Sequence, residues 1–127
     1  MNWAVRLVLD TSAVVAFADH RAIHVGELVT ELEDDDAAGF AVPVICLVEA
    51  AGLGVADEML DVLVHRDTCQ VIPVRQRDRQ ALARERRLLG RLDLAAAMLA
   101  ATDAGAYILT AEPESYGTDV PVIPIEG

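Results

Sequence analysis

Short apolar runs alternate with longer amphipathic stretches along the chain. Leu7 to Leu9 are branched and apolar without polar alternation, which suits a strand buried on both faces of a parallel sheet. Asp10 follows at once, then Thr11 and Ser12 as helix-entry residues, then an apolar stretch of helical length to Ala18. After a break at Asp19-His20-Arg21, a second helix is expected from about Ala22 to Glu33, with Ile23, Leu28 and Leu32 among its apolar positions. It runs into the acidic stretch Glu31 to Asp36, which reads as a solvated helix end and loop. Gly39 to Val42 predicts a second strand, and Pro43 suits the first turn of the helix after it.

Val44 to Ala56 carries one charged residue, Glu49, so that helix is expected to be largely buried. Asp57 to Arg66 predicts an amphipathic helix through Met59, Leu60 and Leu63, and Cys69 to Val74 a third strand. Arg75 to Arg91 predicts one helix with Ala81, Leu82, Leu88 and Leu89 as its apolar positions. Asp93 opens the next, Leu94 to Ala104, which Gly105 ends at a C′ position. Ala106 to Thr110 is a fourth strand and Val120 to Ile125 a last one, confined to an edge by Pro121 and Pro124. Strands alternating with one or two helices predict an α/β fold, a parallel sheet covered on both faces. With no repeat, linker or low-complexity segment, residues 1–127 are expected to form a single domain.

Composition narrows the chemistry. A hydrophobic fraction of 54% excludes a disordered chain, and a net charge of −11 argues against a general electrostatic grip on nucleic acid. All ten basic residues are arginine. Without lysine, neither a P-loop nor a receiver-type phosphoacceptor site is available. Cys46 and Cys69 lie in apolar segments without metal-ligand spacing and read as buried free thiols. Ala16-Phe17-Ala18 imitates a signal-peptidase site, but Asp10 interrupts the apolar region before it, and no segment reaches the length of a membrane span. A soluble cytoplasmic protein is expected.

Four acids stand in unusual surroundings. Asp10 and Glu112 each follow a strand of the same sheet, on the carboxyl edge where open α/β sheets bind ligands. Glu49 sits inside an apolar helix that leaves that edge, and its side chain can lean back toward it. Asp93 stands at a helix start, beside Ala96, Ala97 and Ala100, which leave room next to the acid. Converging carboxylates repel, and protonation, a guanidinium or a divalent cation relieves them. Oxygen-only ligation suits Mg²⁺ or Mn²⁺, and such a site supports metal-assisted attack of water on a phosphodiester. Each acid also has a plainer role. Asp10 and Asp93 can be N-caps, Glu49 half of a buried ion pair, and Glu112 a surface acid beside Glu114.

Asp10-Thr11-Ser12 after the first strand, Glu49 in its apolar helix, Asp93 opening an Ala-rich helix and Leu109-Thr110-Ala111-Glu112 after a later strand resemble the PIN-domain ribonucleases. Among these, the small bacterial group with the VapC toxins of toxin–antitoxin pairs is most similar. The resemblance spans essentially the whole chain. It implies a three-layer α/β/α sandwich with a five-stranded parallel sheet, a Mg²⁺ or Mn²⁺ cofactor and cleavage of single-stranded RNA to 5′-phosphate and 3′-hydroxyl ends. It also implies a homodimer and inhibition by a small antitoxin whose tail enters the active-site groove. By position, Asp10 and Asp93 would be the main metal ligands, Glu49 a ligand or an orienter of water, and Ser12 and Thr110 supporting hydroxyls. Glu112 stands where the family more often has aspartate; its longer arm keeps the charge and shifts the oxygens. The rival expectation is a PIN-like protein that has lost turnover and binds RNA or protein.

Arg75 to Arg91 holds seven of the ten arginines, and Arg84, Arg87 and Arg91 are candidates for guiding RNA phosphates. The plainer reading is a solvated face balanced by Asp78 and Glu85. His20 and His24 are spaced for a shared metal but lack a third ligand, and Trp3 and Tyr116 offer little for base stacking.

Overall fold

A computed structural model describes residues 4–19 and 38–125, and between them Glu27, Thr30 and Glu31. The strands are β1 (Ala4–Leu9), β2 (Ala38–Pro43), β3 (Cys69–Ile72), β4 (Tyr107–Thr110) and β5 (Val122–Pro124). They form one five-stranded sheet in the order β3-β2-β1-β4-β5, and every pair is parallel. The helices whose bounds lie within the described residues are α1 (Thr11–Asp19), α2 (Val44–Gly52), α3 (Asp57–Val64), α4 (Arg79–Leu89) and α5 (Leu92–Ala104). Parallel strands need crossovers, and these helices supply them on both faces.

Side-chain alternation along the strands divides the core. Leu7 and Leu9, with Phe40, Val42 and Leu109, pack on one face against Ala13 and Val14 of α1, Cys46 and Ala50 of α2 and Leu63 of α3. Val8, Ala41 and Ile108 turn to the other face and meet Leu94, Ala97 and Ala101 of α5. Alanines at these positions let α5 lie close on the sheet. The result is the three-layer sandwich, with α4 packed along α5.

The chain builds outward from β1 to β2 and β3, then returns to the other side of β1 for β4 and β5. That reversal leaves a crevice beyond the carboxyl ends of β1 and β4, where such sheets bind ligands. β5, preceded by Pro121 and ending at Pro124, is an edge strand as expected.

Three local expectations are revised. Pro43 is the last residue of β2 and the N-cap of α2, with extended φ −62° and ψ 138°, rather than a residue of its first turn. The helix expected over Arg75 to Arg91 is a 3-10 turn at Gln76–Asp78 followed by α4. Gly90, at a left-handed φ of 85°, ends α4, and Arg91 is extended at φ −139° before α5. The helix expected from Ala22 to Glu33 lies mostly outside the described residues, although Glu27, Thr30 and Glu31 are helical. Trp3, His20, His24 and the acidic residues 33–36 also lie outside them. Among the described residues no helix is long and apolar enough to cross a membrane.

Both cysteines are free, and burial pushes the Cys46 thiol up to about 12 and that of Cys69 up to about 11. Neither is a ready nucleophile, because the thiolate is the reactive form. In the native protein both are expected to resist iodoacetamide near pH 8 and to react once urea unfolds the chain. Stoichiometric labelling of native Cys46 would contradict this packing.

Candidate active site

Asp10 follows β1 directly and belongs to both the sheet and α1. Its N–H donates to the Leu109 carbonyl at 3.4 Å, and its own carbonyl accepts from Val14 N–H at 3.0 Å. The side chain is 1% exposed. Oδ1 accepts from Ala13 N–H at 3.0 Å and Ser12 Oγ at 2.7 Å, and Oδ2 accepts from the Tyr116 hydroxyl at 2.7 Å. The capping role is therefore real, and it accounts for only one of these bonds.

A directed chain of hydroxyls leads to the same carboxylate. Ser12 Oγ has one proton, which goes to Asp10, so across the 3.2 Å Ser12–Thr110 contact the Thr110 hydroxyl donates. Thr110 Oγ1 accepts from Glu112 N–H at 2.9 Å, and Ser12 Oγ accepts from Ala111 N–H at 2.8 Å. The end of β4 and the backbone of Glu112 are thereby fastened to Asp10. Burial, with the nearby Asp10 carboxylate, holds the Tyr116 phenol far above its ordinary pKa, so it stays a proton donor.

Asp93, in the first turn of α5, is 4% exposed. Arg91 grips it with two bonds, Nη2 to Oδ2 at 2.8 Å and Nε to Oδ1 at 3.1 Å. The remaining arm reaches Glu112, Nη1 to Oε2 at 3.1 Å. Burial raises the pKa of Asp93, but the Arg91 bonds, the neighbouring Thr11 hydroxyl and the Leu94 N–H outweigh it and leave the carboxyl below its usual range. Cys46 of α2 lies underneath, its Sγ 3.6 Å from the Asp93 carbonyl, and feels the charges of both Asp10 and Asp93. The Thr11 hydroxyl is buried beside this group and has no hydrogen-bond partner at normal length among the described residues.

Asp10, Asp93 and Glu112 are thus drawn to one edge of the sheet, linked through Thr110, Ser12 and Arg91. Glu49 is exposed on α2. Among the described residues no three carboxylate, imidazole or thiol side chains stand close enough together to hold a metal ion, so the expected four-acid cage is not assembled in this arrangement. The residues as placed do not fit a divalent cation. Arg91 already compensates Asp93 and Glu112, and both oxygens of Asp10 are taken by protein donors. Arg91, expected to guide RNA phosphates, is therefore a counter-ion within the site, while Arg84 and Arg87 are exposed on α4. A cavity of about 510 Å³ lies elsewhere, between the end of β3 and the far half of α5, and contains none of the four acids.

Sequence reasoning missed the roles of Tyr116, Thr11 and Arg91. Only Arg91 left a local trace, a guanidinium two residues before Asp93 and just past a helix-ending glycine.

With this geometry described, the class of fold is plain: a PIN-like α/β sandwich. One solved structure of similar fold is a chain of the crystal structure of VapBC2 from Rickettsia felis bound to a DNA fragment from their promoter, with TM-score 0.70 and 14% identity, covering 96% of this chain and 99% of that one. At that identity the likeness is one of fold. No family model and no curated protein sequence matches the chain.

Two outcomes follow for stability. Tyr116→Phe leaves a buried carboxylate oxygen of Asp10 short of a donor and is expected to cost about 1–3 kcal/mol in urea unfolding; an unchanged midpoint would contradict the bond. Because the folded pKa of Asp93 is lowered, its contribution is full above the ordinary 3.8 and is lost as pH falls through the lower folded value. Arg91→Gln is expected to diminish that acid-side loss, as measured by unfolding between about pH 2 and 5.

Proposed function

We propose that the protein is a PIN-type endoribonuclease that cleaves single-stranded RNA in the cytoplasm with Mg²⁺ or Mn²⁺, the toxin of a toxin–antitoxin pair. The observation that carries this reading is the placement of buried Asp10 and Asp93 beside Glu112 at the crevice where the sheet reverses direction. Burying carboxylates costs free energy unless they are compensated, so their presence at a ligand crevice favours a chemical role over an accident of packing.

Ser12, Thr110, Tyr116 and the start of α1 fix the orientation of Asp10, as a preorganised reacting group requires. Asp93 and Glu112 supply further anionic oxygens, while Glu49 faces solvent on α2. A hard cation would supply positive charge to the phosphodiester oxygens. Arg84 and Arg87, exposed on α4, are the RNA-guiding candidates that remain. A small antitoxin and a second copy of the chain are the proposed protein partners; the structural neighbour, a VapBC2 assembly, supports the first.

One observation favours the rival reading of a binding module without turnover: Arg91 neutralises two of the acids. Incubation of the purified protein with single-stranded RNA and Mn²⁺ separates the two. Cleavage is expected, abolished by EDTA and reduced about a hundredfold or more in Asp10→Asn. Undiminished cleavage by a folded Asp10→Asn protein would refute the site, and RNA binding without cleavage by the wild type would establish the rival.

A further inference from the structure

We propose that the cavity between β3 and α5 is a site for a short aliphatic peptide with free ends, its carboxylate taken by Arg75 and Arg77 and its ammonium by Asp103. The inference goes beyond the nuclease reading, because the cavity holds none of the four acids assigned to that chemistry.

The apolar part of the lining comes from three directions. Ala41 of β2 and Ile72 of β3 line it from the sheet, Leu82 of α4 and Leu99 of α5 from the helices, and Val74 from the segment that joins β3 to α4. Ile72, Leu82 and Leu99 are only half-buried and Val74 is 56% exposed, so the chain's own packing leaves apolar surface to be covered. At about 510 Å³ the cavity falls within the roughly 300–1,000 Å³ of pockets that enclose small organic ligands.

The charged part of the lining selects the ligand. Arg75, Arg77, Asp78 and Asp103 all border the cavity, and none of these four side chains has a hydrogen bond or ion pair among the described residues. Asp78 stands at the start of α4, whose dipole favours its charge. Asp103 lies in the last turn of α5, where the carbonyl end of the helix adds to the attraction for a cation. A ligand with an anion and a cation on an aliphatic body meets both the guanidinium pair and Asp103. A fatty anion would satisfy the arginines and leave Asp103 without a partner, and a nucleobase would find no aromatic ring in the lining to stack on. The Gln70 amide, also in the lining, can donate to and accept from a peptide bond.

Titration calorimetry of the full chain with trileucine at fixed ionic strength tests the site without reference to catalysis. Saturable binding of one peptide per chain is expected, weakened about tenfold or more by N-acetylation or by C-terminal amidation of the peptide. Arg75→Gln combined with Arg77→Gln should weaken trileucine to a similar degree and leave the affinity of its amide unchanged. Asp103→Asn should weaken trileucine and leave the N-acetyl form unchanged. Ala100→Leu, which enlarges a side chain of the lining, should weaken all three forms. No saturable binding of trileucine, equal affinity for the three forms, or tighter binding of decanoate would overturn the inference. Peptide binding by a protein that cleaves no RNA would leave it standing and reject only the nuclease.

Discussion

An aspartate buried at the start of a helix over a sheet edge is tolerable only if its charge is met, and this fold meets it in two ways, at Asp10 and at Asp93. Asp10 is satisfied by dipoles: one backbone N–H at the start of α1, one serine hydroxyl and one phenol. Asp93 is satisfied by a full positive charge gripping both oxygens. An unpaired carboxylate at either place would cost several kcal/mol on an order-of-magnitude view. The compensation is therefore what permits the rest of the site to exist.

The sheet makes both solutions possible. β1 and β4 are adjacent and in register through Leu9 and Leu109, so the residues that follow them, Asp10 and Thr110, arrive at the same edge. Packing of α5 through its small residues brings Asp93 to that edge from the opposite layer. Gly90 matters as much as the acids. Its left-handed backbone ends α4 and releases Arg91 from a helical face, freeing its side chain to turn onto Asp93 and Glu112. The same fold thereby carries an acidic crevice and the cation that closes it.

Much of this architecture was legible because it is local. Unbroken apolar triplets such as Leu7–Leu9 mark buried parallel strands, and Gly105 marks a helix end at φ 64°. Isolated acids after apolar runs drew attention to Asp10 and Asp93. What was not legible depends on distance through space. The Tyr116–Asp10 bond spans 106 residues, and nothing near Tyr116 in the sequence signals it. Helical periodicity carried straight through Gly90 and placed Arg91 on a solvent face, because an alternation rule cannot see a backbone reversal. Glu49 looked buried because its neighbours are apolar, yet one polar residue on an apolar helix can still face water, and it does.

The central claim is that Arg91 supplies the charge that lets Asp93 lie buried at the sheet edge. A double-mutant cycle in EDTA, combining Arg91→Gln with Asp93→Asn and read by urea unfolding, measures that coupling directly. A favourable interaction of roughly 0.5–3 kcal/mol is expected for groups joined in this way. Additive effects, within about 0.3 kcal/mol of zero coupling, would contradict it.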